Sequence, residues 1–200
     1  MAIYGASLQT AQVSTGNVAT SLDKFDSTKP LNGAQNPLGT KYYDNVTTVA
    51  NPSGTFVAYK YVRYNSTANA ATQAAPAAVF WTDNTFTTVT STASESLFTA
   101  AAGGAANGIA GILLLTSATV TNAQLNGNFV WIQVYGHLAG IAAPASTAKG
   151  DAILATQADW TTTGGFSRVA AGTAPTGRVA YFAETAVASA KSDGFVAIES

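Results

Sequence analysis

The chain has no cysteine, and its 200 residues include one histidine and one methionine. Without thiols there is no disulfide, no thiolate metal site and no cysteine nucleophile, and the redox compartment leaves no trace. Charge is scarce too: charged residues are 10% of the chain, against about 25% in an ordinary globular protein. Nine Lys and Arg oppose ten Asp and Glu, for a formal net charge of -1. A nucleic-acid binder draws much of its affinity from a basic footprint on phosphates, which this balance does not supply. Attachment to an anionic membrane surface through a polybasic stretch fails for the same reason. Long hydrophobic runs are missing as well. The longest, Ile109 to Leu115, is too short to cross a bilayer, and Met1 to Ser7 has neither a basic nor an apolar leader region. The expectation is a chain that is soluble and unprocessed, or exported by a route that leaves no mark, with no nucleic acid and no membrane among its partners.

What is present argues for packing. Hydrophobic residues make up 47% of the chain and aromatics 10%, far more than a self-solvating segment carries. The content is unevenly distributed. Up to Asn51 the chain is mostly Ser, Thr, Asn, Gln and Gly, punctuated as turns by Pro30, Asn32-Gly33, Asn36-Pro37 and Gly39. Residues 1–53 therefore read as an extended N-terminal arm. Within it Ile3, Tyr4, Leu8, Val13, Val18, Leu22 and Phe25 are spaced as separate anchors, and Tyr42-Tyr43 marks a part that is held.

Residues 54–200 read as an all-β domain. Phe56 to Tyr64 is dense in aromatic and β-branched residues, and Ala78 to Asp83 with Phe86 to Thr90 flanks a hairpin at Asn84. Ile112 to Leu115 and Ala118 to Thr121 read as a buried strand with a polar exit. Asn126-Gly127 carries the sequence signal of a two-residue turn. The strand after it, Asn128 to Gly136, shows Val130, Ile132 and Val134 on one side and Phe129, Trp131, Gln133 and Tyr135 on the other. The aliphatic side suits a core and the aromatic side an interface. Lys149 to Leu154, Thr176 to Glu184 and Gly194 to Glu199 complete the set. Short strands without a long amphipathic helix imply a small β-barrel or sandwich.

Little in the chain points to chemistry. His137 is the lone imidazole and follows Gly136 at the expected end of a strand, so it reads as an edge histidine. The ten acids are dispersed, apart from Asp23 and Asp26, and Asp151 after Gly150 reads as a turn carboxylate accepting backbone N–H bonds. The glycines from Gly103 to Gly111 fit neither phosphate-binding spacing. The reading is no catalytic residue, no cofactor and no metal. Trp81, Trp131, Trp160 and the tyrosines leave open a platform for sugar rings.

The C-terminal half carries a succession of motifs: Gly127-Asn-Phe-Val-Trp-Ile-Gln-Val-Tyr-Gly136, Ala142-Ala-Pro-Ala145, Lys149-Gly-Asp-Ala-Ile-Leu154 and Gly177-Arg-Val-Ala-Tyr-Phe182. This succession, over residues 109–199, resembles the head decoration (capsid cement) proteins of tailed bacteriophages. The resemblance implies a small β-barrel or tulip-like domain, often trimeric, that clamps neighbouring major capsid subunits from outside the virion and has no enzymatic activity. On that basis the expected partners are the major capsid protein and further copies of the chain as a homotrimer. The expected contact residues are Ile3, Tyr4, Leu8, Tyr42, Tyr43, Phe129, Trp131 and Tyr135. The competing expectation is a phage tail or fibre component with a glycan-binding β module.

Overall fold

The structure is a computed structural model and describes residues 36–44, 56–65, 76–91, 108–115, 125–155, 166–175 and 179–198. Ten strands follow in chain order: β1 (Lys41–Asp44), β2 (Val57–Tyr64), β3 (Ala77–Trp81), β4 (Thr88–Thr90), β5 (Ile109–Leu113), β6 (Phe129–Ala142), β7 (Ala152–Ala155), β8 (Phe166–Val169), β9 (Val179–Ala183) and β10 (Lys191–Ala197). The fold is all-β. The strands form one sheet in the order β1-β2-β4-β3-β5-β6-β10-β9-β7-β8, and a further pairing of β2 with β6 turns β2, β4, β3, β5 and β6 into a closed circuit. All pairings are antiparallel except β2 with β4.

Two cores explain why some strands are apolar on both faces. Inside the circuit Val62, Tyr64, Val79, Trp81, Val89, Leu113, Val130 and Ile132 pack together. A second core joins Phe80, Ile109 and Ile112 to Ile141, Ile153, Phe166, Tyr181 and Val196 from the other half of the sheet. β3 separates the two, so Val79 and Trp81 face one core while Ala78 and Phe80 face the other. All five of its residues are buried, which is why it reads as a continuous apolar run instead of an alternating one.

The second core is also held by polar contacts. The Tyr181 hydroxyl donates to the Ala142 carbonyl at 3.0 Å and meets Ser192 Oγ at 3.3 Å. Its ring lies against Gly194, where a Cβ would stand 2.9 Å from Tyr181 Cε2 and 3.0 Å from the Phe182 carbonyl oxygen. The buried Asp151 accepts from Ala148 N at 2.7 Å, Ala171 N at 2.9 Å and Arg168 Nε at 2.5 Å, tying the turn before β7 to the end of β8. The backbone bonds are those expected of a turn carboxylate. The guanidinium, with those amides, holds the Asp151 carboxyl below its ordinary 3.8 against the cost of burial.

Several expectations are revised by the backbone. Lys41–Asp44, inside the stretch read as an arm, is a strand paired in register with β2 from Lys41↔Lys60 to Asp44↔Val57. The boundary near residue 53, the segment holding Ile3, Tyr4 and Leu8, and the segment 118–121 lie outside the described residues. Asn126-Gly127 are the central residues of a turn, as read, closed by Asn128 N donating to the Leu125 carbonyl at 3.1 Å, but only Gly127 has positive φ there (80°), so the turn is not of type I′. A type I′ turn needs positive φ at both central residues.

β6 does not end at Gly136. It runs for 14 residues, about 46 Å at an extended rise, with Gly136 at φ 99° and Gly140 at φ 67° absorbing its bends. His137 is therefore an interior strand residue. The first half of β6 pairs with β2 and β5, and the second half pairs with β10.

Candidate functional site

The register of β6 against β2 slips once. Tyr59 faces Gln133, but the next residue, Ala58, faces Tyr135, so Val134 is an extra residue on β6. One inserted residue exchanges the faces of everything beyond it. Phe129, Trp131 and Gln133 thus lie on one side, whereas Tyr135 packs beside the circuit core with Val134. This overturns the alternation that grouped all four as one outer face.

Gln133 maintains this bulge from within. It is buried, and its amide nitrogen approaches the carbonyl oxygens of Tyr135, Gly136 and His137 at 3.3, 3.1 and 3.0 Å. Gly136 is required at the bend by its φ of 99° and because a Cβ there would stand 2.9 Å from the Phe56 carbonyl oxygen. An amide expected to face a partner instead satisfies the backbone of its own strand.

Trp131 is 1% exposed. Its ring centroid lies 5.0 Å from Tyr61 and 6.3 Å from Tyr42, while Phe129 stacks on Tyr61 at 5.8 Å and 14°. Tyr42 in turn meets Tyr59 at 6.5 Å. Burial, then the charge of Asp44 and the neighbouring Tyr42, push the Tyr59 phenol up to about 12. Of the residues expected to make outside contacts, Trp131 presents no surface, and Tyr42 and Phe129 are partly buried in this aromatic packing.

Of the exposed aromatics among the described residues, Phe86 lies apart, while Tyr43, Phe56 and Phe182 join the half-buried Tyr135 and Phe195. Tyr43 meets Phe56 edge-on at 5.9 Å, and both are 46% exposed. Phe56 stacks on Tyr135 at 5.0 Å and 21°, and Tyr135 meets Phe195 edge-on at 5.0 Å. Phe195 stands opposite Phe182, which is 45% exposed, in the pairing of β10 with β9. These five residues form a stripe transverse to the strands, from β1 over the start of β2 to β6, β10 and β9. At strand spacing it is about 19 Å long.

Tyr43 and Tyr135 were expected in a contact surface and are in the stripe; Phe56, Phe182 and Phe195 were not singled out. Adjacent aromatics were the available signal. In a strand, Tyr181-Phe182 must send one ring to each face, and with Tyr181 in the core Phe182 faces outward.

Beside the stripe, His137 Nδ1 lies 2.5 Å from Glu184 Oε2. His137 stands opposite Phe195, so the pair borders the row of rings. Its Nε2 is buried without a hydrogen-bond partner. In the neutral ring the proton therefore belongs on Nδ1, where the carboxylate accepts it. Among the described residues no group of three His, Asp or Glu side chains is arranged to hold a metal ion.

No protein-family model, curated protein or solved structure matches this chain.

Proposed function

We propose that this chain is a structural virion protein, a decoration or cement protein that binds the outside of a phage head and stabilises contacts between major capsid subunits. The observation that carries the reading is the stripe Tyr43, Phe56, Tyr135, Phe195 and Phe182. Tyr43, Phe56, Tyr135 and Phe195 are already packed on one another and lose little rotamer freedom when a partner covers them, and large aromatics are enriched in the cores of protein interfaces. A surface with few charges adds little desolvation penalty around that stripe. The motif succession from Gly127 to Phe182 supports the same assignment and brings with it a homotrimer as the assembling unit. The reading gives the chain no enzymatic activity and no cofactor.

The stripe favours a protein surface over a glycan as its main partner. Sugar rings stack on open aromatic faces, whereas Phe56 and Tyr135 stack on each other and Tyr135 also receives Phe195. The test is negative-stain microscopy of purified particles labelled with an antibody against this chain. Label over the heads is expected. Label confined to tails or fibres transfers the chain to the competing class, and unlabelled particles overturn the virion assignment.

A further inference from the structure

The dipeptide Asn-Gly occurs three times in the chain, at 32–33, 107–108 and 126–127, and only the last pair lies wholly within the described residues. Asn126 is exposed. Gly127 has no side chain to shield its nitrogen, and a Cβ built on it would meet nothing within 4 Å, so the space beside the pair is open. Such a pair can react with itself. The Gly127 nitrogen loses its proton and attacks Asn126 Cγ; the N–Cγ bond forms, the Cγ–Nδ2 bond breaks, and Nδ2 takes up the proton and leaves as ammonia. Water then opens the five-membered imide at one of its two carbonyls. The product is aspartate or, with the main chain rerouted through Cγ, isoaspartate. No reactant besides water is consumed.

The fold opposes the first step. Gly127 N donates to the Tyr64 carbonyl at 2.9 Å, and Tyr64 N donates to the Asn128 carbonyl at 2.8 Å. These two bonds carry the β2–β6 ladder one step past its last register pair, Arg63↔Phe129. The proton that must leave is therefore held by a residue that is 0% exposed and whose hydroxyl donates to Ser91 Oγ at 2.7 Å. We infer that Asn126 is a modification site, deamidating through Gly127 N, and that the Tyr64 carbonyl gates it. Reaction waits until the end of the β2–β6 ladder opens. Ladder ends open at a small part of the cost of global unfolding, so the gate slows the reaction without abolishing it. Isoaspartate lengthens the main chain between Leu125, buried in the circuit core, and β6, so the turn and the two ladder bonds cannot close again as they were. Each event thus leaves a permanent mark, with a new negative charge, on a chain whose circuit has opened at that end. The inference is independent of the head location proposed above.

The test is mass-spectrometric peptide mapping of the full chain, incubated at mildly alkaline pH either native or in guanidinium chloride. In denaturant the three Asn-Gly pairs should convert at similar rates, which sets the ungated rate. Native residue 126 should convert about ten to a hundred times more slowly. Hydrogen exchange of the Gly127 amide, read by NMR on the native chain, should be slowed by the same factor, because exchange and attack both need that N–H released. Asn126→Gln, whose longer side chain would have to close a larger ring, should stop the conversion and keep the circular dichroism. Conversion of native residue 126 at the denatured rate, or a Gly127 amide that exchanges unprotected, means that the ladder is no gate. No conversion at residue 126 during about a hundred denatured half-lives means that it is no site in the folded chain. Any of these results overturns the proposal, and none of them requires particles, so the capsid reading is untouched.

Discussion

Gln133 Nε2 lies 3.1 Å from the carbonyl oxygen of Gly136, three residues along the same strand. Through that contact and its neighbours at Tyr135 and His137, a buried amide stabilises the bulge that moves Tyr135 to the stripe side. The position of the stripe therefore depends on a buried residue outside it.

Replacing this amide tests the dependence. Gln133→Leu removes an amide whose two N–H donors are shared among three carbonyl oxygens and should destabilise the fold by about 1–3 kcal/mol. Thermal unfolding reads the loss, and the near-ultraviolet dichroism of the Phe56–Tyr135 stack should change with it. A variant of wild-type stability and spectrum would show that the bulge stands without Gln133.

Burial separates Trp131 from Phe56. Trp131→Ala removes a fully buried ring and should cost about 3–5 kcal/mol, appearing as loss of folded protein. Phe56→Ala removes a half-exposed ring and one stacking contact, worth about 1 kcal/mol, and should keep the β dichroism while weakening attachment to particles. A Trp131→Ala chain that folds normally and only loses attachment would restore the aromatic face as the sequence alternation had it.

Gly194→Ala would press a methyl group into the Tyr181 ring and towards the Phe182 carbonyl oxygen. Overpacking of this kind costs about 1–3 kcal/mol. In a chain of this size each kcal/mol lowers the midpoint by about 2–4 °C, so calorimetry should show a drop of several degrees. The double variant Gly194→Ala with Tyr181→Leu should recover part of it.

Stability should fall at both ends of the pH scale, for separate reasons. The Asp151 carboxyl is held below its ordinary 3.8 by Arg168 and the backbone amides. Its contribution is therefore present above that value and lost as pH falls through the lower folded one. Arg168→Leu should weaken the fold most at neutral pH and flatten its acid dependence. Burial, partly offset by the Ser192 hydroxyl, pushes the Tyr181 phenol from 10.0 to about 12. That contribution is present below pH 10 and is lost as pH rises towards 12. Denaturant midpoints from pH 2 to 12 check both limbs, and Tyr181→Phe should reduce the alkaline one.

The strands were legible where β-branched and aromatic residues cluster, as from Phe56 to Tyr64, and where turn residues punctuate them, as at Gly150. β6 was legible only up to Gly136. Its second half contains His137, Gly140 and a register shift against β10, and these resemble the end of a strand unless the partner is known. Likewise the face of Tyr135 could not be read, because strict alternation holds only until a bulge, and the residue that holds the bulge is an ordinary glutamine. β8 escaped notice because four residues, Phe166–Val169, give too short a pattern. The aromatic stripe is assembled from five separate stretches of chain, so its parts were visible while their adjacency was not.

The proposed place of this chain on the outside of a phage head, with contacts through the stripe, is tested most directly by a cryo-electron microscopy reconstruction of the head at side-chain resolution. Density for the ten-stranded sheet is expected to bridge adjacent major capsid subunits, with Phe56 and Tyr135 covered by a neighbouring chain. Density for the sheet only in the tail, or on the head with Phe56 and Tyr135 facing solvent, would contradict it.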